Sequence, residues 1–261
     1  MSDLSVRWEM MTPAELDEAI ARLPLAIVPA GSIEWHGPHM TCGSDFIRGD
    51  AICTAVARRL GGGVVLPATW LGAPGFCNWR GTISFTPALV RQVALELYRE
   101  LEKCGFRWIF VHLAHAGQMQ REAWEGAAKQ YVDQGFATIL VKHGPDGPFV
   151  ANLGGGHAGP NEAAELMAAS ADAVHLDRFD AADTLLPKYP GCDPWLYSRG
   201  LSPEAREAVF RFMAREHYAW DADLARKVTP QAARLLFEEV CDRLADELRA
   251  WMAGTEAKGS A

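Results

Sequence analysis

The chain reads as an α/β protein, a mostly parallel sheet with helices over both faces. Three features lead there. Apolar runs of strand length alternate with amphipathic segments of helix length along most of the 261 residues. Runs such as Leu25-Ala26-Ile27-Val28 and Trp108-Ile109-Phe110-Val111 are apolar throughout, which suits strands buried on both sides. Helix start and stop signals fall between those runs.

In chain order, Thr12 as N-cap and Pro13 at the first helical position open a helix that lasts to about Arg22. A strand follows at 25–30. Ile52, Val56 and Leu60 recur at four-residue spacing, giving a helix over 47–60 that stops at Gly61-Gly62-Gly63. Residues 64–67 form a short second strand. Thr86-Pro87 repeats the cap signal, and Leu89, Val93, Leu97 and Leu101 mark one face of a helix ending at Gly105. Residues 107–113 are the clearest buried strand. A helix over 120–134 and a strand over 137–141 come next. Further helices are expected at 160–171, at about 203–226, and at 230–252, where Pro230 opens a long amphipathic pattern. The Pro- and Gly-rich stretch 183–202 shows no period and is read as an active-site flap or an oligomer contact.

The length suits one large domain over 1–253 rather than two, and the small polar tail 254–261 is expected to be disordered. A net charge of −8, with no basic run, argues against a nucleic-acid surface. No apolar stretch approaches 18 residues and the N-terminus has no signal core, so a cytoplasmic protein without membrane contact is expected. Six scattered cysteines without a Cys-x-x-Cys pair fit reduced thiols.

Chemistry concentrates in Gly31-Ser32-Ile33-Glu34-Trp35-His36-Gly37-Pro38-His39 and in Gly43-Ser44-Asp45, directly after the first strand. Imidazole nitrogen mixed with carboxylate oxygen is what Zn²⁺ or Mn²⁺ prefers. Glu34 and His36 are two apart, so an extended backbone sends both side chains to one face. Gly37-Pro38 turns the chain, and Asp45 returns from the following loop. Cys42 lies inside this segment, either as a soft ligand or as a small loop residue. Past the 107–113 strand stands His115, and Gly154-Gly155-Gly156-His157-Ala158-Gly159-Pro160-Asn161-Glu162 forms a further polar cluster. Glu162 has two readings, a metal ligand or an acidic residue favouring a helix N-terminus.

These segments resemble the creatininase (creatinine amidohydrolase) family. Gly31 to His39, resuming at Ser44-Asp45, is similar to the family signature Gly-Ser-x-Glu-x-His-Gly-Pro-His followed by Thr/Ser-Asp. His115 occupies the place of the His in Asn-Gly-His-x-x-Asn, although Leu113, Ala114 and Gln118 replace the usual neighbours. His157-Ala158-Gly159-x-x-Glu162 resembles His-Ala-Gly-x-x-Glu-Thr-Ser, with Ala163-Ala164 in place of Thr-Ser. Gly81-Thr82-Ile83-Ser84 matches a further element, with Trp79-Arg80 in place of Phe-Pro. The resemblance implies a three-layer α/β/α sandwich and a homo-oligomer, a hexamer in many members. It also implies two divalent ions per subunit, Zn or Mn with Fe as a third option. Glu34 and His115 would then hold one metal, His36 and Glu162 the other, with Asp45 bridging and His157 as general acid/base.

The implied activity is metal-dependent hydrolysis of a cyclic amide or another non-peptide C–N bond of a small molecule. Relatives acting as a formamide deformylase, a peptide-processing enzyme or a cyclic-ketone (diketo-inositol) hydrolase stand as alternatives, with a non-catalytic scaffold last. Creatinine itself is not expected, because Gly117 stands where creatininase has a ligand glutamate. Arg80, Thr82 and Gly117 are the expected substrate contacts, Arg80 either as an anion clamp or as a surface charge.

Overall fold

The computed structural model describes residues 5–75, 81–132, 134–179 and 226–259, with Ser202, Glu204, Ala205, Ala208 and Tyr218 as single positions. Arg80, the stretch 183–202 apart from Ser202, and most of the helix expected at about 203–226 lie outside the described residues.

Helix α1 (Pro13–Arg22) begins at Thr12, whose hydroxyl accepts the Glu15 N–H while Glu15 reaches back to the Thr12 N–H, a capping box that satisfies two otherwise unpaired donors. Strand β1 (Leu25–Ala30) leads through α2 (Ser44–Leu60) to β2 (Val64–Val65), and α3 (Pro87–Lys103) leads to β3 (Trp108–Leu113). Helix α4 (Gln118–Val132), β4 (Thr138–Lys142), α5 (Pro160–Ala169) and α6 (Pro230–Gly259) follow. Strand β2 is shorter than expected: Leu66 N–H still donates to Ile27 O at 2.9 Å, but Pro29 of β1 has no N–H to return to Leu66 O, and the ladder stops there. The tail expected from Gly254 is instead helical to Gly259. It is anchored there by Thr255, whose hydroxyl donates to the Met252 carbonyl and accepts from Trp108 Nε1.

The four strands run in the order β2-β1-β3-β4 and all pair in parallel, with Leu25 opposite Trp108 and Ala30 opposite Leu113. Alternate side chains on each strand enter different cores. Leu25, Ile27, Trp108 and Phe110 pack beneath α2, α5 and α6, while Ala26, Val28, Ile109 and Val111 pack against α3 and α4. Both faces are therefore covered, and the strands are apolar throughout for that reason.

The chain leaves β1 for β2 on one side and returns to place β3 on the other. The strand order thus reverses between β1 and β3, and a crevice opens beyond their carboxyl ends. Among the described residues no helix is long and apolar enough to cross a membrane.

Candidate metal centre

The segment after β1 is held from several sides. Gly31 N–H donates to Thr69 O, Glu34 N–H to Cys42 O at 2.9 Å, and Trp35 N–H to the Thr82 hydroxyl at 2.8 Å. Gly31 is needed for close approach, since a Cβ there would stand 2.7 Å from the Phe46 backbone. Gly37, with φ of 72°, then turns the chain into the run that enters α2. Helix α2 starts at Ser44, three residues ahead of the expected start, so Asp45 is buried in its first turn and projects from a helix and not from a loop. His115 follows β3, tied to β1 by its N–H to Ala30 O at 3.1 Å. His157 closes a glycine-rich loop in which Gly154 and Gly156 have φ of 120° and 106°, and Glu162 lies in the first turn of α5.

These five elements converge. His115 Nδ1 lies 3.0 Å from Glu34 Oε2 and 3.3 Å from Asp45 Oδ2. His36 Nε2 lies 3.2 Å from Asp45 Oδ1 and 3.6 Å from Glu162 Oε2. Two donor sets result, Glu34–Asp45–His115 and His36–Asp45–Glu162, with Asp45 common to both. A third, Glu34–His36–His157, brings His157 Nδ1 to 3.7 Å from Glu34 Oε2.

Each imidazole is oriented by a backbone carbonyl, which can only accept. His36 Nδ1 faces Glu34 O at 3.1 Å, His115 Nε2 faces Ala73 O at 2.9 Å, and His157 Nε2 faces Trp35 O at 2.6 Å. Those nitrogens therefore carry the protons, and the opposite nitrogen of each ring is the one turned to the carboxylates.

Burial penalises every charge in the cluster, yet the mutual attraction of the groups outweighs it for most of them. His36, beside Asp45 and Glu162, is pushed up to about 9 despite burial, and His115 is held well above its ordinary value by Glu34 and Asp45. Against the same burial, Glu34 is held at about 2 by His115 and His157, and Asp45 well below the usual carboxylate range by His36 and His115. His157 differs, because burial wins over the Glu34 attraction and lowers it.

The residues fit divalent cations. His36 Nε2 and Asp45 Oδ2 are buried and without a hydrogen-bond partner, which is costly unless something positive meets them. Nitrogen and carboxylate oxygen in this ratio are what Zn²⁺ and Mn²⁺ accept.

A cavity of about 830 Å³ opens over the cluster, walled by Glu34, Asp45, His115 and His157 on one side and by residues 142–147 on the other. Gly117 lines it. Thr82, expected at the substrate, does not line it. The isolated Ile33–Ile83 bridge lays its segment beside the run 31–39, where the hydroxyl accepts from the Trp35 N–H. Cys42 belongs to none of the donor sets, and its sulfur packs toward Gly81. His39 is buried with Nε2 on Ala158 O, and burial pushes it down to about 4.

Two residues escaped sequence reasoning. Arg48 is buried and joins Asp45, Glu162, Glu165 and Ala114 O. Its spacing of three from Asp45 on one helix was the available signal. His143, after β4, stacks on His112 with ring planes 2° apart and lines the cavity.

Gly75 gives a test of the packing around Glu34. A Cβ there would fall 2.1 Å from Glu34 Oε1 and 2.9 Å from His115 Cε1. Gly75→Ala is expected to displace the carboxylate and weaken metal binding by roughly 10–100-fold, the usual effect of disturbing a ligand's support. Chelator competition on the folded variant measures it, and unchanged affinity would show that the contact is absorbed by a small shift.

Fold and site together define an α/β/α sandwich with a paired carboxylate–imidazole centre at the sheet's switch point. The chain belongs to the creatininase family, whose model (creatinine amidohydrolase) matches residues 9–248. It is 31% identical over 169 residues to a mycofactocin precursor peptide peptidase of Mycobacterium ulcerans (strain Agy99), a match covering 61% of this chain and 64% of that protein. The chain thus matches a little under two thirds of that relative's length. Among solved structures, a manganese creatininase ("Creatininase Mn") superposes with a TM-score of 0.69 at 21% identity, covering 94% of this chain and 98% of that one. A mutant creatininase of Zn–Zn type superposes with a TM-score of 0.68 at 20% identity over the same shares.

Proposed function

We propose that this protein is a two-cation hydrolase of an amide C–N bond, with a peptide-like amide as its substrate. The reading is carried by one observation: two donor sets share Asp45 beneath a cavity into which a neutral imidazole, His157, also faces. Glu34, Asp45 and His115 would hold one divalent ion, and His36, Asp45 and Glu162 the other, Zn²⁺ or Mn²⁺ by donor chemistry. When bound, such ions acidify a water and polarise a carbonyl.

The chain's own residues supply the rest. Trp35 O fixes the His157 ring through Nε2, leaving Nδ1 turned inward to take a proton and return it to the departing nitrogen. The lowered pKa of His157 keeps it neutral, and so able to accept, at pH 7. Gly117, Gly155 and Gly156 line the cavity without side chains, so an extended substrate backbone can lie close to the centre. A volume of about 830 Å³ exceeds the needs of a single small ring and sits high in the roughly 300–1,000 Å³ range of ligand pockets. The peptidase among the relatives agrees with that size.

The test is a hydrolysis screen over short peptides, formamides, lactams and cyclic ketones, using protein stripped by a chelator and reloaded with Mn²⁺ or Zn²⁺. Peptide or amide cleavage that falls to background on stripping and returns on reloading is the expected result. Cleavage indifferent to chelation, or turnover confined to a ketone C–C bond, would overturn the reading.

A further inference from the structure

His157 is presented to the cavity by a strained backbone. The next residue, Ala158, has φ of 54°, and among the described residues it is the only non-glycine with a positive φ. A Cβ disfavours that conformation, so an alanine stays in it only where its surroundings hold it. Ala158 is fully buried, and the glycines at 154–156 and 159 on either side of the pair 157–158 put up little resistance to a change of path.

Two side chains from other elements supply the hold. Glu162 Oε2 accepts the Ala158 N–H at 2.7 Å from within the first turn of α5. His39 Nε2 lies 3.1 Å from Ala158 O, across 119 residues of chain. A carbonyl can only accept, so Nε2 carries the proton and donates it.

His39 is itself firmly seated. Its carbonyl accepts the His175 N–H at 2.7 Å, and Met40 bridges Val174, which pins the backbone at 39–40 to the segment 174–175. The Phe179 ring meets the imidazole at 84° with centroids 5.3 Å apart. A Cβ at position 37 would stand 2.7 Å from His39 Nδ1, so Gly37 leaves just enough room for the ring. None of the candidate donor sets among the described residues includes His39.

We propose that His39 is a positioning residue for the proton carrier. By holding Ala158 O it keeps the loop 154–159 in the strained form that turns His157 Nδ1 toward the cavity. The inference rests on the reading of His157 above. The bond from His157 Nε2 to Trp35 O, at 2.6 Å, sets the ring's rotation but not the backbone from which the ring hangs. Without His39, Ala158 is free to relax to negative φ and to carry its neighbour with it. A displacement on the order of 1 Å at a reacting group can cost about 10²-fold in rate.

The experiment uses the full chain loaded with Mn²⁺, acting on a peptide or formamide that the wild type cleaves. His39→Leu keeps apolar bulk and removes the donor, whereas His39→Gln can place an amide N–H where Nε2–H stood. His39→Leu should lose about 10–100-fold in kcat, with KM and metal content little changed, because a proton carrier acts on the transition state. His39→Gln should run close to the wild type. In a His157→Ala background, His39→Leu should cost nothing further, since its effect passes through that ring alone. If His39→Leu does not fold, His39→Asn takes its place, being one methylene too short to reach Ala158 O, and should be slow where His39→Gln is not.

Unchanged kcat in the variant without the donor would overturn the inference. So would a slow His39→Gln, or an equal further loss in the His157→Ala background. Loss of a metal equivalent would overturn it too, by placing the effect on Glu162. If His157→Ala kept full kcat, the proton-carrier reading would fall and take the inference with it. Silent His39 variants beside a slow His157→Ala would remove the inference alone.

Discussion

Asp45→Ala is expected to lose both cations together and to bring hydrolysis to background. Asp45 is common to the candidate sets Glu34–Asp45–His115 and His36–Asp45–Glu162, offering Oδ1 toward His36 at 3.2 Å and Oδ2 toward His115 at 3.3 Å. Its removal leaves each set one carboxylate short and exposes the halves to each other's charge. The fold should survive, because Arg48 keeps Glu165, Glu162 and Ala114 O as partners. Metal analysis of the purified variant, beside circular dichroism, gives the answer. Asp45→Asn separates charge from shape, since it can still accept from Arg48 while offering a weaker donor to metal, and an intermediate metal content is expected. If Asp45→Ala retained one equivalent of metal, Asp45 would belong to a single half of the centre.

Position in the chain made some of this architecture legible and hid the rest. Strands β1 and β3 declare themselves because both of their faces are buried, so apolar character runs unbroken through Leu25–Val28 and Trp108–Val111. Helices α1 and α3 are bounded by Thr12-Pro13 and Thr86-Pro87, local signals that need no tertiary context. Helix α2 carries no such signal. Gly43 offers no side-chain cap, and Ser44-Asp45 reads as loop chemistry, so the helix was expected three residues late and Asp45 was placed off it.

That shift also concealed Arg48. An arginine inside an amphipathic helix ordinarily faces solvent, and what buries this one is Glu165, 117 residues away on α5. The candidate donor residues were easier to read, since Glu34 and His36 stand two apart in one segment and His115 and Glu162 each follow a recognisable element boundary. Thr82, expected at the substrate, lies outside the cavity lining, where backbone demand decides its place. The Thr82 hydroxyl accepts from the Trp35 N–H at 2.8 Å, which fixes it against the backbone.

His157→Ala carries the second large effect. The variant should keep its metals, because the Asp45-sharing sets do not include His157, and should lose about 10²–10⁴-fold in kcat, the usual weight of one positioned proton carrier. The pH profile distinguishes a proton role from a packing role. Burial lowers His157 below its ordinary value, so it is a neutral acceptor at pH 7 and becomes protonated only as pH falls below about 6.5. Cations bound nearby would push in the same direction, since added positive charge disfavours the imidazolium. The wild type should therefore lose kcat along an acid limb lying below that value, and the limb should vanish in His157→Ala.

His157→Gln makes the comparison sharper. It can keep a donor toward Trp35 O but cannot carry a proton, so packing is restored without the chemistry. Recovery of wild-type kcat in His157→Gln would assign the residue to shape alone. Loss of a metal equivalent in either variant would instead assign His157 to the third donor set, with Glu34 and His36, as a ligand in its own right.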